Sequence, residues 1–538
     1  MLRMPLVLCV LVLATLPLSP HSGELRAQTR TAQQTQRAQF EQRRQEILLN
    51  LRHELSELSR TCHEQGQTQA ASDITALSLD LTTSGTETVL PQLVQLPLSQ
   101  NLPDEQKLWR NRVAFLREEK GQELYRLARQ ALRNDQPTLA YDLVKDTLRL
   151  NPDHEDSRAV LGQQLFRDPT RVDDATYAGE WVSPFEARRR TGSNPETDHP
   201  EFGWIPVRLI SRYEAGERPW RGNWVSVQKE AELRRNFQNA WEIRTEHFLV
   251  KTNTSLEQGV QISRKLELFH NWLTTHFAAF FETPDALEER FQEAQSRRRV
   301  YRDPKPMEVH YYATREEYDR RIQSKNPLLA QVVTNGLYWE PDRTCYFFLN
   351  PDDPELRTVF HEATHQIFDL ATADDRLSAA RKRQIVLRER QARPWVMCEK
   401  SNFWMLEGIA CYFESLEIHD GVISAGNPDY TRFVAAQQRM LNDNFFIPLQ
   451  TFSSLGKDDF QHHPNLPQLY SQASGVAHFL LHYDNGIYRD DFVKLLSAAY
   501  RPDLKNVTAE PSLEKITGVR FAVLDQQYRD HLATMNAE

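Results

Sequence analysis

The apolar residues in the first third of the chain recur with the spacing of an α-helix. One stripe lies between residues 28 and 63 and predicts a helix that needs a partner surface: Ile47, Leu48, Leu51, Leu55 and Leu58. Residues 64–103 are rich in Ser, Thr, Gln and Pro, which predicts a loop or linker. Residues 104–170 carry three predicted helices separated by turns at Asn134–Pro137 and Asn151–Asp153. This helical hairpin is similar to a tetratricopeptide repeat, and it either offers a groove to a partner protein or packs against the rest of the chain.

The remainder of the chain mixes strands with helices. Residues 171–240 hold several tryptophans and many Gly and Pro residues, which predicts a connector of short strands or irregular structure. Apolar runs then predict three strands and two helices in alternation: 246–252, 262–280, 309–312, a helix from Tyr318, and 345–349. The pattern predicts an α+β fold in which residues 241–352 bear a sheet and residues 353–538 are mainly helical.

The N-terminus carries the one continuous apolar run, residues 6–16, with Arg3 before it. The run is too short to span a membrane comfortably and predicts a secretory signal peptide over residues 1–27. We therefore expect a protein that is secreted or held in the periplasm or cell envelope, with no stable membrane span once the signal is removed. Four cysteines then remain, too few for a disulfide framework, although export would permit a bridge between Cys398 and Cys411.

The bulk composition narrows the class of function. A chain of 538 residues is long enough for two or three domains. Its formal net charge is −9, whereas a nucleic-acid-binding protein normally has a basic surplus. We therefore expect no nucleic-acid partner, and any chemistry must be read from particular residues.

Candidate chemistry begins with the run His361-Glu362-Ala363-Thr364-His365. Two histidines four residues apart lie about one turn apart on the same side of a helix. One tetrahedral Zn²⁺ can accept both imidazoles, and Glu362 between them can act as the base for an attacking water. The preceding Asp352-Asp353-Pro354-Glu355 predicts the start of this helix, with an Asp cap and Pro at the first helical position. The strand at 345–349 comes directly before it, and its edge is predicted to pair with an extended peptide.

Catalytic zinc usually has three protein ligands, and a second run supplies the third candidate. Residues 403–414 are mostly apolar and predict a buried helix, in which a carboxylate is costly unless a partner or cation neutralises it. Glu407 is therefore the predicted third ligand beside His361 and His365; the alternative is a carboxylate favoured by the helix dipole. Glu414, two turns further on, is predicted to support a histidine N–H.

Three further features surround these motifs. Tyr470 opens an apolar helix and is the predicted oxyanion donor; the alternatives are His478 on the same helix or an ordinary core role for the tyrosine. Residues 381–393 form a basic run closed by Pro394 and predict a short helix, which is either a lid that steers acidic substrates or a solvated helix face. Gly408 lets another backbone or a substrate approach closely.

The two motifs together resemble the gluzincin zinc peptidases of the MA clan. Leu406-Glu407-Gly408-x-Ala410-x-Tyr412-x-Glu414 is similar to the Asn-Glu-Gly-Phe-Ala-x-Tyr-x-Glu run of aminopeptidase N relatives. The chain looks closer still to the peptidase-MA-like domains of unknown function in secreted bacterial proteins. The resemblance covers residues 240–535 and implies a sheet lobe and a helical lobe with the metal between them. It also implies one zinc per chain and these roles: ligands His361, His365 and Glu407, base Glu362, and oxyanion donor Tyr470.

The sequence departs from these families at three points. The gap between the motifs is longer than in aminopeptidase N relatives, so an insertion separates the two motif helices. The Gly-x-Met-Glu-Asn motif that reads a free amino terminus is absent, so aminopeptidase activity does not follow. Cys411 stands where thermolysin-type enzymes have an Asp, and we interpret it as a buried structural cysteine rather than an extra ligand.

These observations predict a secreted zinc metallopeptidase that hydrolyses a peptide or protein substrate with water activated by zinc and Glu362. One alternative is a catalytically inactive peptidase-like domain that serves, with the helical N-terminal region, as a binding scaffold. Another is a zinc amidase that acts on a non-peptide or cell-wall amide.

Overall fold

The computed structural model describes residues 32–80, 103–171, 174, 177–292, 303–327, 334–387, 397–419, 422–501 and 511–535. The predicted signal peptide therefore lies outside the described residues, as do residues 81–102 of the predicted linker. The predicted α+β class is confirmed, with helices predominating over small sheets. Within the described ranges, no helix combines the length and the apolar character needed to cross a membrane.

Five helices form the N-terminal region: α1 (Ala32–Glu64), α2 (Thr68–Asp80), α3 (Asp104–Arg133), α4 (Pro137–Leu150) and α5 (Glu155–Val160). The predicted stripe lies on α1, where Leu51 and Leu55 are buried in one core with Leu124 of α3. The three helices predicted after residue 104 are present as α3, α4 and α5. Their core also includes three residues from later in the chain, so this region packs against the rest of the protein: Ala278, Leu287 and Phe291.

The prediction of a loop across residues 64–103 is wrong for Thr68–Asp80, which form α2. Ile74 and Leu77 are buried there because they stand three residues apart on one face, and α2 packs on α1. The Ser and Thr content misled the prediction, since a few small and apolar residues (Ala70, Ala71, Ile74 and Leu77) are enough to dock a short helix onto a longer one.

The connector consists of three consecutive units, each an antiparallel hairpin followed by a short helix. The units are β1 (Gln164–Phe166), β2 (Glu180–Val182) and α6 (Pro184–Arg190); β3 (Glu196–His199), β4 (Gly203–Pro206) and α7 (Ile210–Glu214); and β5 (Glu217–Trp220), β6 (Asn223–Ser226) and α8 (Val227–Arg234). The predicted short strands are confirmed, and each hairpin carries a helix that was not predicted.

A tryptophan occupies the same place in the second strand of each unit, before Val or Ile and then Ser or Pro. An arginine from the helix preceding each unit lies over that ring, and the series continues to the first residue of the main sheet. The guanidinium carbons lie 5.9 Å (Arg158 on Trp181), 5.3 Å (Arg189 on Trp204), 3.7 Å (Arg212 on Trp224) and 5.5 Å (Arg234 on Trp241) from the ring centroids. These cation–π contacts stabilise each unit against the next. Composition alone did not indicate this repeat.

The sheet-bearing part contains β7 (Trp241–Arg244), β8 (Phe248–Thr252), α9 (Leu256–His276), α10 (Ala278–Phe281), α11 (Pro284–Arg290), β9 (Met307–Tyr312), α12 (Arg315–Lys325), β10 (Gly336–Trp339) and β11 (Thr344–Phe348). The strand order is β10-β11-β9-β8-β7, with the three central strands parallel and both edge strands antiparallel. The three predicted strands are confirmed, whereas β7 and β10 were not predicted. The long helix ends at His276 rather than Phe280, because the backbone of Phe277 leaves the helical conformation before α10 begins.

The position of β11 corrects the prediction that its edge could pair with a peptide. Both edges of β11 are already paired, to β10 and to β9. The edge strand on this side of the sheet is β10, which packs directly against α13 (Arg357–Leu387), the helix of the His-Glu-x-x-His motif. Gly336 allows this close packing, because a Cβ there would lie 2.7 Å from Cγ2 of Thr358.

The helical part continues with α14 (Phe403–Phe413), β12 (Glu417–His419), β13 (Val422–Ser424), α15 (Thr431–Leu441), α16 (Leu449–Ser453), α17 (Lys457–Gln461), α18 (Leu466–Gly486), α19 (Arg489–Tyr500), α20 (Leu513–Thr517) and α21 (Phe521–Thr534). It shares one apolar core with the sheet. The predicted start of the motif helix is wrong, since α13 begins at Arg357 and not at Pro354. Asp353 still caps it, because its carboxylate accepts the backbone N–H groups of Arg357 and Thr358, both at 2.9 Å.

Two expectations about the segment between the motif helices are also corrected. The basic run predicted as a separate short helix from residue 381 begins inside α13, whose backbone continues without a break to Leu387. Residues 388–396, including Pro394, lie outside the described residues. Cys398 and Cys411 are free thiols, so the bridge between them is not formed.

Buried ion pairs join the N-terminal helices to α19. Arg489 pairs with Asp142 of α4 at 2.6 Å, and Asp142 also pairs with Lys145 at 2.8 Å. Arg37 of α1 pairs with Asp490 at 2.9 Å. Burial alone would raise the pKa of Asp142, but Arg489 and Lys145 hold it well below the ordinary aspartate value. We call these five residues the interface ion network.

Candidate metal centre

The two histidines of α13 face one carboxylate of α14. Nε2 of His361 lies 3.6 Å from Oε2 of Glu407, and Nε2 of His365 lies 4.0 Å from the same oxygen. One donor atom from each of the three residues lies within 4.8 Å of the other two. The structure therefore brings the three predicted ligands together at one point between two helices.

This donor set fits a tetrahedral zinc site. Donors bonded at about 2.0–2.2 Å to one tetrahedral ion lie about 3.4 Å apart, and the separations of 3.6 and 4.0 Å are close to that. Burial alone would raise the pKa of Glu407, but His361 and His365 hold it below the ordinary glutamate value. An ionised carboxylate beside two imidazoles is the ligand chemistry that zinc prefers.

Glu414 holds His361 from its other ring nitrogen. Nδ1 of His361 lies 2.8 Å from Oε1 of Glu414. The Tyr430 hydroxyl donates to Oε2 at 2.8 Å, and Arg432 donates to both carboxylate oxygens. Burial alone would raise the pKa of Glu414, but His361 and Arg432 lower it to about 2. Glu414 therefore has the position expected for a residue that supports a histidine ligand. It holds Nδ1 of His361 so that Nε2 faces Glu407.

The surroundings of His361 attract positive charge. Burial alone would lower its pKa, but hydrogen bonds to Cys411, Glu407 and Glu414 raise it well above the ordinary histidine value. An imidazole held between two carboxylates favours a cation, so a zinc ion and a proton compete for this position. Burial raises the pKa of Cys411 to about 11, which keeps it a neutral thiol. Cys411 is fully buried on α14, and its Sγ lies within 4.8 Å of donor atoms of His361 and Glu414. Its interpretation as a packing residue therefore stays a prediction.

Glu362 lies where α13 meets the edge strand of the sheet. Its Oε2 accepts the backbone N–H of Tyr338 on β10 at 2.8 Å. The Tyr338 hydroxyl donates at 2.6 Å to Asp369, two turns along α13 from Glu362. These two hydrogen bonds fix β10 relative to the motif helix. Glu362 is half-buried, so part of it remains accessible to solvent.

Tyr470 of α18 reaches the same site, where its hydroxyl hydrogen-bonds Glu407. Burial and the charge of Glu407 raise the pKa of Tyr470 well above the ordinary tyrosine value, so it stays a hydrogen-bond donor. The alternative donor, His478, is committed elsewhere. Its Nδ1 lies 2.8 Å from Nε2 of His531 and its Nε2 lies 3.0 Å from the Gly426 carbonyl oxygen.

The sequence analysis missed Tyr338, Tyr430 and Arg432. Arg432 lies 18 residues after Glu414 in sequence, and Tyr338 precedes Glu362 by 24 residues on an unpredicted strand. One signal was available, since a second buried carboxylate in an apolar helix requires a cation from elsewhere in the chain.

Gly408 lies where α14 crosses α18. A Cβ there would be 2.6 Å from the carbonyl oxygen of Ala473, so the close approach expected from this glycine is that of another backbone.

We expect Gly408→Ala to lower the free energy of unfolding by about 1–3 kcal/mol, because the added methyl group must push the two helices apart. The matched control is Gly121→Ala on α3, where the nearest atom would lie at 3.5 Å, an ordinary contact. That change should be neutral or slightly stabilising, since alanine favours a helix. Urea denaturation measures both variants, and equal midpoints would contradict the crossing described here.

A second group of potential ligands consists of His247, Glu267 and His270. The two imidazoles stack with ring centroids 3.8 Å apart and an interplanar angle of 22°. Imidazole lone pairs lie in the ring plane, so stacked rings cannot both point at one ion without rotating. Glu267 instead accepts the backbone N–H of His247 at 2.6 Å and contacts its Nδ1 at 2.8 Å. This group therefore lacks the geometry of the first.

Comparison of the chain with protein-family models, with curated proteins and with solved structures finds no match.

Proposed function

We propose that the chain is a zinc-dependent peptidase of the gluzincin type, with His361, His365 and Glu407 as the zinc ligands. The observation that carries this proposal is the meeting of these three side chains beside an acid at the sheet edge and a tyrosine hydroxyl. The layout supports it, since a sheet and a set of helices flank the site. We further propose that the protein acts on a peptide or protein substrate after export.

The side chains divide the work of hydrolysis. Zinc, when bound, supplies a Lewis acid that polarises the scissile carbonyl and activates water. Glu362 takes the proton of the attacking water and passes it to the leaving amine. Tyr470 donates a hydrogen bond to the developing oxyanion. Glu414 orients His361, and Arg432 keeps Glu414 ionised.

The outer edge of β10 is the proposed seat for the substrate backbone. The Tyr338 N–H bonded to Glu362 points away from β11, along the side on which a further strand would add. A peptide paired there would pass over Glu362 and along the face of α13. We also propose that the helices α3–α5, which are similar to a tetratricopeptide repeat, offer a surface to a separate protein partner.

The first experiment is elemental analysis of the purified protein beside Glu407→Ala, with neither exposed to a chelator. We expect about one zinc per wild-type chain and a strong loss in the variant, because a two-histidine site binds zinc poorly. Glu407→Gln, which keeps the volume of the buried side chain, checks that any loss is not a folding defect.

The other outcomes are equally informative. No zinc in the wild type would favour the inactive scaffold. Zinc retained by both variants would mean that the third ligand is a different residue, with Glu414 and Cys411 tested next. Zinc present without hydrolysis of a broad peptide library would direct the search to non-peptide amides.

A further inference from the structure

A positively charged side chain, Arg357, lies on the face of α13 that carries the proposed zinc ligands. Arg357, His361 and His365 follow one another at intervals of four residues, so their side chains project from the same side of the helix. The two histidines face the candidate metal centre. Arg357 is therefore one turn from His361, about 6 Å along the helix axis.

The guanidinium of Arg357 rests on an aromatic ring of the site. It lies 5.6 Å from the centroid of Tyr430, whose hydroxyl donates to Glu414, the partner of His361. Stacking of this kind limits the rotamers of the arginine and leaves the donors at the edge of its guanidinium available. Arg357 is thus placed beside the proposed zinc ligands by contacts that do not use its hydrogen-bonding capacity.

Among the described residues, no acidic side chain pairs with the Arg357 guanidinium. In the part of the chain that the structure describes, no carboxylate oxygen lies within 4.0 Å of the Arg357 guanidinium. Asp353, one turn before it, accepts backbone N–H groups instead. The neighbouring Arg432 differs, since it donates to both oxygens of Glu414. Arg357 is also exposed, so a ligand can reach it.

We infer that Arg357 binds a carboxylate of the substrate, and that the site selects acidic peptides. This inference rests on the proposed peptidase function and names the substrate class of the same site. An extended peptide advances about 3.3–3.6 Å per residue, so the carboxylate lies one or two residues from the scissile bond. It belongs either to an Asp or Glu side chain or to the C-terminus of the peptide. The formal net charge of −9 repels acidic peptides at long range. A preference for them must therefore come from a positively charged side chain close to the site, such as Arg357.

The test uses internally quenched peptides in matched sets, with Glu or Gln at the two positions on either side of the cleaved bond and with a free or amidated C-terminus. We expect the wild type to cleave the best carboxylate-bearing peptide with a kcat/KM about tenfold or more above its neutral match, as a charge-assisted contact allows. In Arg357→Gln this ratio should fall to near one. In the control Arg126→Gln, an exposed arginine on α3, the ratio should stay at its wild-type value.

The arms of the experiment separate the two sources of carboxylate. A preference confined to the free C-terminus identifies a carboxypeptidase-type site, and a preference for Glu over Gln identifies an endopeptidase that reads an acidic side chain. Equal cleavage of all matched pairs by the wild type, or an unchanged ratio in Arg357→Gln, would overturn the inference.

A binding measurement keeps this inference distinct from the proposed function. Fluorescence anisotropy with the same labelled peptides is measured on Glu362→Gln and on Glu362→Gln combined with Arg357→Gln. We expect the single variant to bind the acidic peptide about tenfold more tightly than its neutral match and the double variant to bind both alike. If the wild type cleaves nothing while this preference holds, the peptidase proposal fails and the carboxylate site stands. Equal binding of acidic and neutral peptides by the single variant removes the carboxylate site.

Discussion

Glu362→Gln should retain about one zinc per chain and lose about two to four orders of magnitude in kcat against any peptide that the wild type cleaves. The amide cannot accept the proton of the attacking water, which removes the general base. The oxygen of the amide can still accept the Tyr338 N–H, so the hydrogen bond to the sheet edge is preserved. The combination of a bound metal with lost turnover distinguishes a catalytic role from a structural one.

The matched control is Glu355→Gln, which removes the same charge from an exposed residue two positions before α13. Its activity should stay within about twofold of the wild type, since surface substitutions away from a site have small effects. Metal content, kcat and thermal midpoint are measured on all three proteins. A Glu362→Gln enzyme that remains active would assign the base to another residue.

The largest expected change in stability follows from the interface ion network. Asp142→Asn should lower the free energy of unfolding by about 3–5 kcal/mol, because it leaves Arg489 and Lys145 buried without their shared carboxylate. Asp142 is 6 % exposed, so water cannot replace the lost charge. Chemical denaturation followed by fluorescence gives the change, and limited proteolysis shows whether the N-terminal helices detach first.

An exposed ion pair between the same two regions provides the control. Lys494 of α19 pairs with Asp135, in the turn between α3 and α4, at 2.7 Å, and the Asp135 side chain is 69 % exposed. Asp135→Asn removes the same charge but should cost only about 0–1 kcal/mol, because solvent screens the pair. Similar losses in the two variants would mean that burial does not set the strength of the network.

The residues of the candidate site that are close together in sequence could be predicted from the sequence. The residues that support them from distant parts of the chain mostly could not. His361 and His365 are related by helix periodicity alone, so their shared face could be predicted without knowledge of the fold. Glu407 could be predicted because an apolar run makes a lone carboxylate costly. Arg432 follows from the same argument only as a residue type, because its contact with Glu414 depends on how α14 and α15 both pack against α18.

Errors in the fold have the same origin. The strand β11 is a hydrophobic run and was predicted, but its place inside the sheet is decided by β10, a four-residue strand with no distinct pattern. The helix α2 was missed because its buried apolar residues are few, and two of the four are alanines: Ala70, Ala71, Ile74 and Leu77. The connector was predicted only as short strands or irregular structure, since each unit is too short to show periodicity and the tryptophan spacing becomes meaningful only beside the arginines.

The interface ion network also affects the order in which parts of the chain can fold during synthesis. Arg37 and its partner Asp490 are separated by 453 residues, so at about 5–20 residues per second the partner leaves the ribosome roughly 20 to 90 seconds later. Until then the nearest counter-charge of the guanidinium is Glu41, one turn along α1, and the buried pair with Asp490 cannot form. The start of α1 is therefore among the last parts of the chain to reach its final contacts. A chain that ends before α19 would keep this surface open, which gives proteases a direct physical means of recognising an incomplete product.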